Sequence, residues 1–274
     1  MSDMKLRHLT GLVANTLTTA IARSDASGSH TNQSYARLAI QTIQVKLTAG
    51  AADLDIYWPD TSVSAPLMII AHGFFRRRHN MSGWGLHLAK EGFVAVVPDL
   101  PTRSDHTRNG RFISDLRDYL CAIGSWRQRI DPSRVGLMGF SAGGLATLLS
   151  AADDPSLAIW VGLDPVDWNG IGTRVAPMVH SRAVVLTAKP SACNAQGNCR
   201  SIITALPHCE HYGIPGAVHV DAEWPTDWMA EVVCGRSMEE RRREFRRRAT
   251  AALLETLVRQ PDTIDNNHKT HNNS

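Results

Sequence analysis

The chain has 274 residues, 43% hydrophobic and 20% charged, with 29 basic against 26 acidic side chains for a net charge of +3. That length and composition suit one large folded domain and exclude a disordered chain. So mild a charge gives no footprint for nucleic acid, and no apolar run reaches the roughly 18 residues needed to span a bilayer.

Residues 1–34 read as an N-terminal extension. Lys5, Arg7 and His8 precede Leu9 to Ala22, which has the outline of a signal peptide. Four threonines and an asparagine dilute its core and the cleavage site is poor, so a weak targeting segment and a plain N-terminal helix both stay open. The folded domain is expected over residues 35–260. It begins with two β-like runs, Tyr35 to Leu47 and Ala52 to Trp58, around Thr48-Ala49-Gly50: an antiparallel hairpin whose Leu54, Ile56 and Trp58 alternate toward one face. After a loop, Leu67 to Ala71 form a continuous apolar run, as expected of a parallel strand covered on both sides. His72-Gly73-Phe74 and the basic loop Phe75 to His79 follow, then a helix over Trp84 to Glu91 and a strand over Phe93 to Pro98: a βαβ unit.

Pro101 to Gly110 read as a polar rim loop, Arg111 to Gln128 as a helix, and Asp131-Pro132 as a turn. Val135 to Leu145 is the stretch around which the rest is organised. An apolar strand, Val135 to Met138, runs into Gly139-Phe140-Ser141-Ala142-Gly143 and an Ala/Leu-rich helix, the context of a G-x-S-x-G nucleophile elbow. Glycines two residues either side of the serine relieve a turn in which side chains would collide. Next come a strand over Leu157 to Leu163 ending at Asp164, a loop over 169–182, a strand over Ala183 to Ala188 and a short helix over Cys199 to Leu206. Gly216-Ala217-Val218 read as a short strand delivering His219. Met238 to Val258 is a surface helix with Met238, Phe245, Ala249, Leu253 and Leu257 on one face; its arginines, interleaved with Glu239, Glu240 and Glu244, make a solvated outer face. Residues 261–274 read as a disordered polar tail. This rhythm predicts an α/β fold with an open, mostly parallel sheet, helices on both faces and an active site along the carboxyl edge.

A serine hydroxyl is a poor nucleophile until an imidazole takes its proton, and the imidazole needs a carboxylate to fix its tautomer. With this elbow the expected chain order is Ser141, acid, histidine. His219 has the best context for the base, with His211 and His180 as competitors. Asp164 ends a buried strand and is the first choice for the acid. Asp167, three residues on, is the alternative, as a carboxylate behind the site or a loop cap; no Asp or Glu lies between Asp167 and Glu210, which points to Asp164. The backbone N–H groups of Phe74 and Ala142 are the expected oxyanion hole. Phe75, Phe140, Trp168 and Trp224, with Phe74, would line an aromatic pocket suited to an ester. Arg76 to Arg78 could favour an anionic group on the substrate or simply form a solvated loop.

The motifs HGF, GFSAGG and GLDPVDW with the late His219 resemble the α/β-hydrolase serine esterases and lipases over about residues 52–258. GLDPV is similar to the chlorophyllase and platelet-activating-factor acetylhydrolase groups, which implies Ser141 as nucleophile, Asp164 as acid and His219 as base. Bacterial cutinase-like polyester hydrolases share the HGF and elbow patterns but carry the acid after the following strand. Lys189-Pro190-Ser191 stand there in this chain, so that resemblance is the weaker one. The resemblance implies cleavage of carboxylic esters through an acyl-enzyme, without cofactor or metal, on a small-molecule or lipid-like ester. Thioesterase, amidase or peptidase action by the same triad, or an inert scaffold used for binding, are the alternatives. Five cysteines show no C-x2-C pair. Cys121 reads as a buried thiol, and Cys193, Cys199, Cys209 and Cys234 could give one or two disulfides after export. The cytoplasm is the favoured compartment, with periplasm or exterior as alternatives; oligomeric state stays open.

Overall fold

A computed structural model describes residues 16–18, 38–122 and 124–259. The polar tail 261–274 and most of the N-terminal extension lie outside these residues. The described strands form one sheet in the order β1-β2-β3-β5-β4-β6-β7-β8-β9. These are β1 Thr16–Thr18, β2 Ala39–Leu47, β3 Gly50–Trp58, β4 Ala65–Ala71, β5 Val94–Pro98, β6 Ile130–Phe140, β7 Ile159–Leu163, β8 Arg182–Thr187 and β9 Cys209–Gly213. β1, β2, β3 and β5 pair antiparallel in succession, and every pairing from β5 through β9 is parallel. The short β1 falls inside the stretch that reads as a signal-peptide outline.

The helices are α1 Ser82–Lys90, α2 His106–Ala122, α3 Gly124–Arg127, α4 Ala142–Ala152, α5 Ile171–Val175, α6 Arg200–Ala205, α7 Trp228–Cys234 and α8 Glu239–Leu257. β4 shows why a continuous apolar run was needed. Leu67, Ile69 and Ala71 enter one core with Phe112, Leu116 and Leu148 of α2 and α4, while Met68 and Ile70 enter the other with Trp84 and Leu88 of α1 and Phe245 and Leu253 of α8. Period-2 alternation thus feeds two apolar layers, one on each face of the sheet.

Four local expectations need correction. Asp131-Pro132 lie within β6 at a register break: Pro66 pairs with Asp131 but Leu67 with Val135, so the residues between bulge out of the ladder. The stretch 169–182 contains α5 and a 3-10 turn over Ala176–Met178, nucleated by Asp167, whose carboxylate accepts the N–H groups of Gly172 and Thr173. The last strand is Cys209–Gly213, where no strand is expected, and it carries His211, bonded to Thr187 Oγ1. Gly216-Ala217-Val218 form no strand; His219 opens a 3-10 turn, His219–Ala222. Asp221 holds that turn by accepting the N–H groups of Val218 and Met238 and pairing with Arg241 of α8 at 2.7 Å.

Candidate active site

Ser141 sits between β6 and α4 at φ 55°, ψ −121°, a left-handed conformation rare for a residue with a side chain. Its surroundings enforce it. A Cβ on Gly139 would lie 2.6 Å from Gly144 N, and one on Gly143 would lie 2.5 Å from Ala71 O. Ser141 N–H donates to Leu163 O of β7, and its carbonyl accepts from Gly144 and Val166. The side chain is thereby held at the carboxyl edge of the sheet.

Three residues distant in sequence meet there. His219 Nε2 lies 3.0 Å from Ser141 Oγ, and His219 Nδ1 lies 2.6 Å from Asp164 Oδ2. A carboxylate can only accept, so Nδ1 carries the proton and Nε2 accepts from the serine hydroxyl. Asp164 is fully buried and also left-handed, at φ 45°. Ala188 N–H donates to its Oδ1 and Asn194 Nδ2 to its Oδ2, both at 3.0 Å. These donors fix both carboxylate oxygens in place. Phe140 packs its ring 4.6 Å from the His219 ring.

The loop after β4 is set by His72. Leu100 N–H donates to His72 Nε2, which leaves Nδ1 to donate to Gly73 O, both at 2.9 Å. Burial holds this imidazole below its ordinary pKa, so it remains the neutral tautomer those two bonds require. Gly73 lies so close to the elbow that a Cβ would be 2.9 Å from the Phe140 ring and 3.2 Å from Ser141 Cβ. Phe74 and Ala142 line one cleft of about 290 Å³ together with His72, Phe75, Arg103 and His106. Neither the Phe74 nor the Ala142 N–H has a backbone acceptor among the described residues.

The other expected lining residues divide. Phe75 lines the cleft; Trp168 is half-exposed, with its ring 5.7 Å from that of His106. Phe140 is buried beneath Gly73 and His219 and supports the site rather than forming its wall. Trp224 is displaced from the cleft: it packs on Gly83 of α1 and beneath the Arg246 guanidinium of α8, 4.3 Å from its ring. Its position follows from backbone bonds to Asn80 and Gly83, which draw the chain after His219 toward α1. Neither His180 nor His211 hydrogen-bonds Ser141 among the described residues; His211 sits on edge strand β9. Asn194 is the residue the sequence reading missed. Nothing in a Ser-Ala-Cys-Asn loop announces a bond to Asp164 thirty residues earlier. Among the described residues no cluster of side chains could hold a metal ion.

Sheet, elbow and flanking helices define a single-domain α/β-hydrolase. Within that class the chain belongs to the PET hydrolase-like family, whose model matches residues 18–192. It is 37% identical over 117 residues to a bis(hydroxyethyl) terephthalate hydrolase of Streptomyces coelicolor (strain ATCC BAA-471 / A3(2) / M145), covering 42% of this chain and 37% of that one. It is 28% identical over 169 residues to cutinase 2 of Thermobifida cellulosilytica, covering 60% and 64%. The matches therefore span less than two thirds of either relative. A candidate dienelactone hydrolase of Klebsiella pneumoniae subsp. pneumoniae MGH 78578 shares the fold, with a TM-score of 0.64 at 17% identity over 80% of this chain and 99% of that one.

The family corrects the weight given to the polyester-hydrolase resemblance. The absent carboxylate after β8 pointed away from it, but β7 and β8 are parallel neighbours. Leu163 pairs with Leu186, and Asp164 N–H donates to Leu186 O. The ends of the two strands open on the same place, so Asp164 at the end of β7 reaches a histidine there.

Proposed function

We propose that this protein is a serine hydrolase that cleaves carboxylic esters through an acyl-enzyme, with Ser141 as nucleophile, His219 as base and Asp164 as the acid. The carrying observation is the chain of contacts from Ser141 Oγ through His219 to the buried Asp164. As Ser141 Oγ attacks the ester carbonyl, its proton passes to His219 Nε2, and Asp164 stabilises the imidazolium. Phe74 and Ala142 N–H groups receive the oxyanion, and the alcohol leaves with the proton from His219. Water then repeats the sequence on the acyl-enzyme. The names of the two relatives, a terephthalate diester hydrolase and a cutinase, support an ester substrate. Exposed Phe75 and Trp168 beside the cleft support an aromatic or apolar portion. The likeness of GLDPV to the chlorophyllase and platelet-activating-factor acetylhydrolase groups concerns the place of the acid.

The Cys193–Cys234 disulfide favours work in an oxidising compartment. Hydrolysis of p-nitrophenyl esters of increasing acyl length tests the activity. Turnover that depends on acyl length is expected; no turnover across the series contradicts it.

A further inference from the structure

Beyond the oxyanion position, the cleft changes character. Its wall carries Arg76, Arg77, Arg103 and His106 against a single carboxylate, Asp99. Two of these charges are spent. Arg76 pairs with Glu223 at 2.9 Å and Asp227 at 2.8 Å, and Asp99 is taken by Arg78. Arg77 and Arg103 have no carboxylate partner among the described residues. Asp105, the neighbouring acid, caps the Arg108 N–H. His106 is 5% exposed, yet its Nδ1 is buried without any hydrogen-bond partner.

We infer that this end of the cleft is a carboxylate subsite, so that the enzyme takes esters carrying a free carboxylate, such as half-esters of dicarboxylic acids. Arg103 and Arg77 attract the carboxylate at the rim of the cleft they line. The reactive ester carbonyl then lies at Phe74 and Ala142, on the same cleft. Arg103 also lies over the Phe75 ring, 5.8 Å from its centroid, which holds the guanidinium on the cleft side. This rests on the ester-hydrolase reading and narrows its substrate class.

The test compares kcat/KM for two esters of equal length, p-nitrophenyl hydrogen adipate and p-nitrophenyl hexanoate. Between wild type and Arg103→Ala, the ratio of the anionic to the neutral substrate is expected to fall about fivefold, the scale of a partly exposed charge pair. Arg103→Lys retains part of the preference, and 1 M salt reduces it. A second arm uses Ser141→Ala, which cannot turn over, and measures calorimetric binding of ethyl hydrogen adipate against diethyl adipate. Tighter binding of the half-ester, lost in Ser141→Ala/Arg103→Ala, is the expected result. An unchanged kinetic ratio, or equal binding of both adipates, overturns the subsite. If wild type hydrolyses neither p-nitrophenyl ester, the hydrolase reading falls while the binding arm still decides the subsite.

Discussion

Asn194 and His219 share one oxygen atom: both approach Asp164 Oδ2, the amide at 3.0 Å and the imidazole at 2.6 Å. Asn194 is itself fully buried and is held by Lys189 O, so its Nδ2 faces the carboxylate from a fixed position. It fixes the carboxylate that holds the His219 ring. Asn194→Ala is expected to lower kcat by roughly 10- to 100-fold, the worth of one hydrogen bond to a charged group, with KM little changed. Asn194→Asp should be worse at neutral and higher pH, where two carboxylates facing each other in one buried place repel. Its activity should recover toward lower pH relative to wild type as one of the pair takes a proton. Steady-state kinetics across pH check this; a uniform loss in kcat and KM would reduce Asn194 to a packing residue.

The elbow admits little change. A Cβ on Gly143 would meet Ala71 O at 2.5 Å and His72 O closer still, and both are backbone atoms that cannot swing aside. Gly143→Ala must push α4 away from β4 and carry the Ala142 N–H with it. A destabilisation of about 1–3 kcal/mol or more is expected, together with loss of activity in whatever folded fraction remains. Thermal denaturation and specific activity of the soluble protein report both.

Glu223 joins the loop after His219 to the loop that carries Phe74. It is fully buried beside Arg76 and accepts from Thr226 at 2.5 Å. Burial outweighs both partners and lifts its carboxyl to about 7. In the unfolded chain the group titrates near 4.5, so between these values the folded protein holds a proton that the unfolded chain has lost. Its contribution to stability is therefore full below about 4.5 and is lost as pH rises through about 7. Glu223→Gln removes this dependence. The difference in Tm, wild type minus variant, should fall steadily from pH 4.5 to pH 8; a difference that rises with pH would mean that the Arg76 pair dominates.

The Cys193–Cys234 bridge ties the loop bearing Asn194 to the end of α7 across 41 residues of sequence. Of the five cysteines, Cys121, Cys199 and Cys209 remain as thiols, so thiol titration of denatured, non-reduced protein should count three. Closing a loop of that length is worth about 4 kcal/mol by the chain-entropy relation. Cys193→Ser/Cys234→Ser should accordingly lower Tm by roughly 10 °C. Because Cys193 adjoins Asn194, kcat should drop as well.

How far the sequence spoke depended on how local the signal was. The βαβ rhythm and the elbow were legible because two glycines around Ser141 and continuous apolar strands are local patterns with local causes. Ser141, Asp164 and His219 could be paired because strand ends converge on one edge whatever the loops do. What escaped depended on long-range packing. Asn194 reaches Asp164 only because β7 and β8 are neighbours, a pairing no single segment announces. Trp224, five residues after His219, looked close to the site, but backbone bonds to Asn80 and Gly83 turn it onto α1. His219 reaches the edge because Asp221 and α8 hold its 3-10 turn, where the sequence predicts a short strand.

The central claim is that Ser141 is a nucleophile activated by His219. Labelling with a fluorescent fluorophosphonate tests it most directly, because the probe requires an activated serine and no knowledge of the substrate. Wild type should be labelled stoichiometrically, Ser141→Ala not at all, and His219→Ala at a rate lower by several orders of magnitude. Unlabelled wild type, or equal labelling of Ser141→Ala, would contradict it.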